Sequence, residues 1–595
     1  METNFWEKAM ILIERTLTEQ EEKSLEAFKT SVVLNIAEAS HQPQNPANAN
    51  ASTALFEWID HTENHRIDGE SYAEYFSVNH YSYWLYVRGR IFYTLFRQAQ
   101  LLDRLPPDVA LNEVEIVYAE ATNLAFWQRW TPQAKIIPNP LTEAQSARKS
   151  WLNNAYLSAL RQQMRMAKQA FSQKFEAVVH SNIFYNEERN GIIHDKALHA
   201  LLDTPSAQSK ILRYELVPLP PKGVKQPLEA THSLPRAYPN VTLDGILATY
   251  LMRHPFKITS AYLNLRRLKK RFRGAFRHSF AFANHNETWQ KLLQETIQKV
   301  ATSVVICDLV RQANEWFLAK IKPQYIIGTS ENNSLGRAFF EAAKSLQIKT
   351  FGIQHGSIDP HNIDYRFRNM SSPNLPDVFF AWGTETRDYL IRKSGYAPEN
   401  TFAVGRLAAD DIGTPTPDAT LRSFKANRGK PLLLFASQAQ GMFDEYRAAV
   451  APILAQFCQE NGLCCIVKPH PREVDDGIYR KAFVEKGVQE DLLEAQGELY
   501  AFIAAADFGA TCYSTVAWEM LWMDKAIIVF DPFNLDLMQV RGKSFIFFPD
   551  ESRPFSTWKQ DLPHHLAEGK AAAEAKLGFA NVNALSLIRE QVMSR

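Results

Sequence analysis

The sequence predicts an α/β chain with two parallel-sheet lobes behind a large helical N-terminal portion, and three observations carry that expectation. From about residue 308 onward, short apolar runs bounded by Gly, Pro and Ser alternate with amphipathic stretches of helical period. That texture is the mark of parallel strands joined by crossover helices. The alternation comes in two series, broken between about 410 and 430, and 595 residues are too many for a single core. Polar and titratable residues cluster just after the strand runs, where doubly wound sheets bind their ligands. The two series therefore read as Rossmann-like lobes facing a cleft.

Taken in order, residues 6–36 show a helical pattern, and the polar stretch 41–52, rich in Asn, Ala and Gln, reads as a loop. Aromatic-rich helical sequence over 72–105 stops at Pro106-Pro107, which cannot continue a helix. Its run 81–93 is expected to be core, because aromatic side chains dominate cores. Residues 114–118 alternate and are β-branched enough for a strand, 143–179 is again helical, and 218–239 is a proline-rich connection without a period. The first lobe then reads as strands at 325–328, 350–353, 378–381 and 402–404, with helices over 335–346 and from about 384. The second reads as strands at 432–435, 464–467, 508–510 and 526–530, with helices over 445–461 and 515–523. The expected division is a helical region over 1–110, a first lobe over 111–415 that carries a helical and proline-rich insertion over 143–300, and a second lobe over 416–595.

Composition excludes several function classes. Hydrophobic residues make up 46% and charged residues 22%, as in an ordinary globular chain, and the net charge of +1 gives no global attraction to nucleic acid. The five cysteines (Cys307, Cys458, Cys464, Cys465 and Cys512) lack paired metal-ligand spacing, so reduced, buried thiols are expected and no metal site. The first residues carry no basic region followed by an apolar core, and no apolar, charge-free stretch approaches the ~20 residues needed to cross a bilayer. A cytoplasmic location is the expectation.

Three elements could carry chemistry. In Val467-Lys468-Pro469-His470-Pro471, a strand ends in a lysine and then in a histidine held between two prolines. The prolines stiffen the backbone, and a cation with a ring N–H suits a phosphate leaving group; a plain strand-stopping turn is the alternative. In Thr511-Cys512-Tyr513-Ser514-Thr515, the serine and threonine are natural helix N-caps near free amides, and Glu519 follows Thr515 one turn on, placed to accept from a sugar hydroxyl. An ordinary capped helix has the same pattern. In Gln354-His355-Gly356-Ser357-Ile358-Asp359, Gly356 allows positive φ or close ligand approach, and His355 is a general base candidate. Asp359 and His361 lie close enough to orient His355 or replace it, and Glu331, after the preceding strand, is a second base candidate. A loop histidine without a catalytic role is the alternative there.

These three elements together resemble bacterial GT-B transferases of surface polysaccharides. Gln354-His355-Gly356 with Lys468-Pro469-His470-Pro471 and Ser514-Thr515…Glu519 is similar to the capsule polysaccharide (Kdo-transferring) enzymes and the teichoic acid glycerophosphotransferases. The histidine-proline and serine elements also occur in bacterial sialyltransferases. The resemblance spans about 320–535. It implies a two-lobed GT-B glycosyltransferase with a nucleotide-sugar donor, CMP- or CDP-linked, and a growing polysaccharide or lipid-linked glycan as acceptor. Donor phosphate would rest on Lys468, His470, Ser514 and Thr515, and Glu519 would touch the ribose. His355 would be the base or a substrate-positioning group; Glu331 stays the second base candidate read from the residues, and Gln354, Gly356, Asp359 and His361 are candidates to support the acceptor. No metal or other cofactor is implied, and no Asp-x-Asp motif accompanies the loops.

Residues 257–277 form one further pattern. Ile258, Tyr262, Leu265, Leu268, Phe272 and Phe276 recur at helical steps, with Arg266, Arg267, Lys269, Lys270, Arg271 and Arg273 on the other faces. Such a helix suits a peripheral contact with an anionic inner membrane, or packs on the protein with a solvated basic face. Two other functions remain open: a sugar-nucleotide epimerase of the same two-lobed fold, and a noncatalytic membrane-associated assembly subunit.

Overall fold

The computed structural model describes chiefly residues 75–103, 113–119, 154–182, 210–216, 239–273, 286–356, 362–366, 375–407, 419–437, 444–470, 477–495, 499–532, 538–578 and 584–593, apart from 80 and 330, with short pieces elsewhere. The chain forms two compact units. The first comprises residues 1–72, 90–153 and 269–300, and the second comprises 73–89, 154–268 and 301–595.

The first unit holds a four-stranded parallel sheet of order β2-β1-β3-β4, made from β1 (Met10–Ile13), β2 (Val32–Asn35), β3 (Val114–Ala119) and β4 (Lys135–Pro138). Strands at Met10–Ile13 and Val32–Asn35 correct the helical expectation for 6–36. Each is a run of four residues, too short for its period to separate strand from helix; β1 is fixed by pairing with the distant β3, and β2 by pairing with β1. The aromatic run 81–93 enters a helix, Trp84–Asp103, and Tyr83, Trp84, Tyr86, Val87, Ile91 and Phe92 are buried, as expected.

The second unit contains both large sheets. Its first lobe is a seven-stranded, all-parallel sheet of order β7-β6-β5-β8-β9-β10-β11, built from β5 (Ala177–Asn182), β6 (Ile211–Leu216), β7 (Asn240–Thr242), β8 (Tyr325–Gly328), β9 (Lys349–Ile353), β10 (Val378–Ala381) and β11 (Thr401–Ala403). Residues 177–242, expected within an insertion, instead supply three of these strands. The second lobe is a six-stranded parallel sheet of order β14-β13-β12-β15-β16-β17, from β12 (Leu432–Ala436), β13 (Cys464–Lys468), β14 (Leu492–Glu494), β15 (Phe508–Thr511), β16 (Ala526–Val529) and β17 (Ile546–Phe547). The strands read from sequence after residue 320 all fall on these elements.

The lobes are tied by the last helices. The helix Leu562–Leu577 ends against the first lobe, where a Cβ on Gly383 would lie 2.0 Å from the Ala575 carbonyl oxygen. A glycine is required there by close approach rather than by its φ. The following helix, Ala584–Met593, places Ile588 and Val592 in the first lobe's core beside Val179, Ile327, Phe351 and Phe380. All five cysteines are buried thiols outside any disulfide, as expected.

The basic segment forms the helix Phe256–Phe272. Its predicted apolar stripe divides: Leu268 and Phe272 are buried, while Ile258 and Tyr262 are exposed. Phe276 lies outside the described residues. Among the described residues no helix is long and apolar enough to cross a membrane.

Candidate functional site

Both large sheets reverse strand order once, and the reversal marks the crevice where ligands bind in such folds. In the second lobe the reversal lies between β12 and β15. The Thr511 hydroxyl, fully buried at the end of β15, donates to the Ala436 carbonyl at 3.1 Å and accepts from the Ser514 amide at 3.2 Å. One side chain thereby fixes both strand ends and the turn that follows. The Ser514 hydroxyl accepts from the Val516 amide at 3.3 Å and caps the helix Val516–Trp522. Thr515 is half-buried and makes no side-chain cap bond. That helix has only seven residues, so its dipole adds less to anion binding than a long helix would.

Beside this crevice, Ser437 follows β12 and its hydroxyl bonds the Tyr479 hydroxyl at 2.6 Å. Its amide donates to the Lys468 carbonyl at 3.1 Å. Lys468 ends β13 with its ammonium 5.9 Å from the centre of the Phe502 ring, and His470 follows, half-buried. Lys468, His470, Ser514 and Thr515 thus belong to neighbouring strand ends, β13 and β15 flanking β12.

Glu519 has a different setting from the one its motif suggested. It is buried, and one carboxylate oxygen accepts from the Arg406 guanidinium, which follows β11 of the first lobe. Arg406 in turn stacks over Trp382 at 5.1 Å from the ring centre. The second oxygen of Glu519 is buried and has no hydrogen-bond partner.

In the first lobe the reversal lies between β5 and β8. There sits His180, which the sequence reading missed. Its ring packs against both Tyr214, with centroids 5.4 Å apart, and Phe339, at 4.9 Å, which are themselves 4.5 Å apart. Burial pushes its pKa down to about 3, so the imidazole is neutral, and neither ring nitrogen has a hydrogen-bond partner. Gly328 leaves room beside these rings, since a Cβ there would lie 2.7 Å from the Phe340 ring and 3.4 Å from His180 Nδ1. The signal available in the sequence was a histidine at the polar end of the short apolar run Ala177-Val178-Val179.

Glu331, three residues beyond β8, is buried with one oxygen accepting from the Tyr365 hydroxyl and the other unpartnered. Burial raises its carboxyl to about 7, against the Tyr365 hydrogen bond and the Arg337 charge, which both favour ionisation. Arg337 itself is held by the Asn332 and Asp364 carbonyls at 3.1 and 2.8 Å. The Thr329 hydroxyl is also buried without a partner.

Gln354 is buried and ties two strand ends together. Its carbonyl oxygen accepts from the Trp382 amide at 2.7 Å and its NH₂ donates to the Gly356 carbonyl at 2.9 Å. His355 is half-buried beside it and close enough to His180 to interact electrostatically. Gly356 does not adopt positive φ, so that reason for a glycine does not apply, and a Cβ there would meet no protein atom within 4 Å. Asp359 and His361 lie outside the described residues. Among the described residues there is no group of three or more His, Cys, Asp or Glu arranged to hold a metal ion.

No protein-family model and no curated protein matches the chain. Solved structures do resemble it. UDP-GlcNAc 2-epimerase from Neisseria meningitidis, bound to UDP-GlcNAc, is 9% identical, with 70% of this chain and 99% of that chain covered and a TM-score of 0.41. Anabaena Alr3699/HepE in complex with UDP is 11% identical, covering 70% and 100%, at 0.38. The wall teichoic acid polymerase TagF soaked with CDPG is 9% identical, covering 74% and 96%, at 0.36. No residue here takes a role from them.

Proposed function

We propose that the chain is a GT-B glycosyltransferase that moves a sugar from a cytidine-linked donor to a growing surface polysaccharide or lipid-linked glycan. One observation carries the reading: the Arg406–Glu519 ion pair joins the loop after the first lobe's last strand to the helix at the second lobe's crevice. That pair sets a first-lobe strand-end group against the second lobe's crevice helix, which supports a transfer between substrates held on the two lobes.

In this reading the first lobe, built on β5–β11, takes the acceptor and the second, built on β12–β17, the donor. Lys468 and His470, with the Ser514 and Thr515 hydroxyls, hold the donor phosphate and stabilise the charge it gains on leaving. The acceptor oxygen attacks the anomeric carbon as the bond to phosphate breaks. The acceptor proton passes to His355 or to Glu331, whose pKa of about 7 suits a base at neutral pH. Gln354 sets the His355 backbone, and Asp359 and His361 belong to the same acceptor loop. The unpartnered oxygen of Glu519 remains free to accept from a ribose hydroxyl. Protein cations rather than a metal neutralise the leaving group, in keeping with the missing Asp-x-Asp motif. The enzyme works from the cytoplasmic side.

The test is a calorimetric titration of CMP, CDP, UDP and GDP into the wild type and His470→Ala. Selective cytidine nucleotide binding, weakened about tenfold (about 1.4 kcal/mol) in the variant, is expected. A preference for UDP would overturn the cytidine donor and turn attention to an epimerase that needs no acceptor. If no nucleotide binds, the phosphate site is wrong.

A further inference from the structure

Eight large hydrophobic side chains stand exposed among the described residues, and five of them lie within twelve positions: Met252, Phe256, Ile258, Tyr262 and Leu263. Phe256 is 86% exposed and Met252 is 70% exposed. Four of the five are on the first two turns of the helix Phe256–Phe272. This is not the stripe that helical period alone picks out. Leu268 and Phe272 hold the helix to the protein, and the opposite side, carrying Phe256 and Leu263 seven residues apart, points away from it.

The charge along this segment has one sign. From residue 245 to residue 286 the sequence contains nine Lys and Arg and no Asp or Glu, although the chain as a whole is nearly neutral. On the helix, Arg266, Arg267, Lys269 and Lys270 are exposed and follow the apolar turns directly. The Arg266 guanidinium lies 5.8 Å from the centre of the Tyr262 ring. Apolar side chains lead and cations follow on one outward side.

We infer that this helix docks the protein on an anionic lipid bilayer. Phe256, Leu263 and Met252 would enter the acyl boundary, Tyr262 would sit at the headgroups, and the cations would meet lipid phosphate. Charge selects this occupant. A second copy of the chain placed face to face would set one acid-free cationic patch against another, at a Coulombic cost. Nucleic acid would satisfy the cations and leave the aliphatic groups in water. An anionic bilayer satisfies both. The inference goes beyond the nucleotide reading and does not depend on it.

The test is co-sedimentation of the full chain with vesicles of phosphatidylcholine, alone or mixed with phosphatidylglycerol. The protein is expected to bind the mixed vesicles, less at high salt, and to leave phosphatidylcholine alone. Phe256→Ser with Leu263→Ser, both exposed and so compatible with folding, should weaken binding roughly tenfold, as should Arg266→Gln with Lys270→Gln. Wild-type protein that ignores anionic vesicles at low salt would overturn the inference. So would an apolar double variant that binds as tightly as wild type, or a wild-type dimer that this variant dissociates. Nucleotide titration on the same variant is expected to be unchanged, which separates failure here from failure of the transferase reading.

Discussion

At the scale of single residues, Glu331 joins stability to chemistry. Its carboxyl has an ordinary value of 4.5 and is raised to about 7 by burial. Below about 4.5 it is protonated in both the folded and the unfolded chain; between 4.5 and 7 the unfolded chain releases its proton first. Stability therefore falls as pH rises through that window, and the ionised group costs about 3 kcal/mol above it. Glu331→Gln keeps an oxygen for the Tyr365 hydroxyl and removes the titration. It is expected to stabilise the fold at pH 8 and hardly at all at pH 4, by calorimetric melting, while slowing transfer about a hundredfold. An equal melting shift at both pH values would show that the carboxylate is not strained. Residues of this kind are half legible: sequence places Glu331 after a strand, but only the fold reveals that Tyr365 covers one of its oxygens.

Among elements, legibility followed the purity of the apolar runs. After residue 320 eight of the ten described strands are short apolar runs closed by polar loops, where period and length suffice; Leu492–Glu494, half-buried and ending in a glutamate, and the two-residue Ile546–Phe547 escape that reading. Before residue 243 period and length do not suffice. The strand Ile211–Leu216 carries Arg213 and Glu215, both wholly buried and paired to each other at 2.8 Å, so it reads as polar although every residue in it is buried. A fully paired ion pair inside a sheet looks like surface in sequence. A second polar cluster holds the hairpin at 77–82 to the long helix Asn286–Ile321. Asp308 accepts from Asn79 at 3.0 Å, Tyr83 at 2.7 Å and Gln312 at 2.9 Å, and pairs with Arg311 at 3.4 Å. Asp308→Ala would leave Asn79, Tyr83 and Gln312 without their shared acceptor and Arg311 with Glu315 alone as counter-charge, at a cost of about 3 kcal/mol. A lowered urea midpoint checks this, and an unchanged midpoint would mean that the hairpin is held by its apolar contacts alone.

For the whole molecule, sequence foresaw two lobes but not the path by which the chain returns to the first of them. That return depends on Gly383, where helix backbone meets strand-end backbone with no space for a methyl group. Gly383→Ala must push the end of the helix Leu562–Leu577 off the first lobe, and backbone has no rotamer with which to yield. A loss of about 3 kcal/mol is expected, read as a lower melting temperature. A variant that melts like wild type would show that the two segments move apart easily.

Ile588 and Val592 also bear on the order in which the protein comes into being. A ribosome releases residues 177–404 well before it reaches them, and domains generally fold as they emerge. The first lobe's core is then two side chains short throughout synthesis of the entire second lobe. The earlier-made half of the molecule is thus the later one to be closed, and its apolar interior stays reachable by chaperones until the final helix comes home.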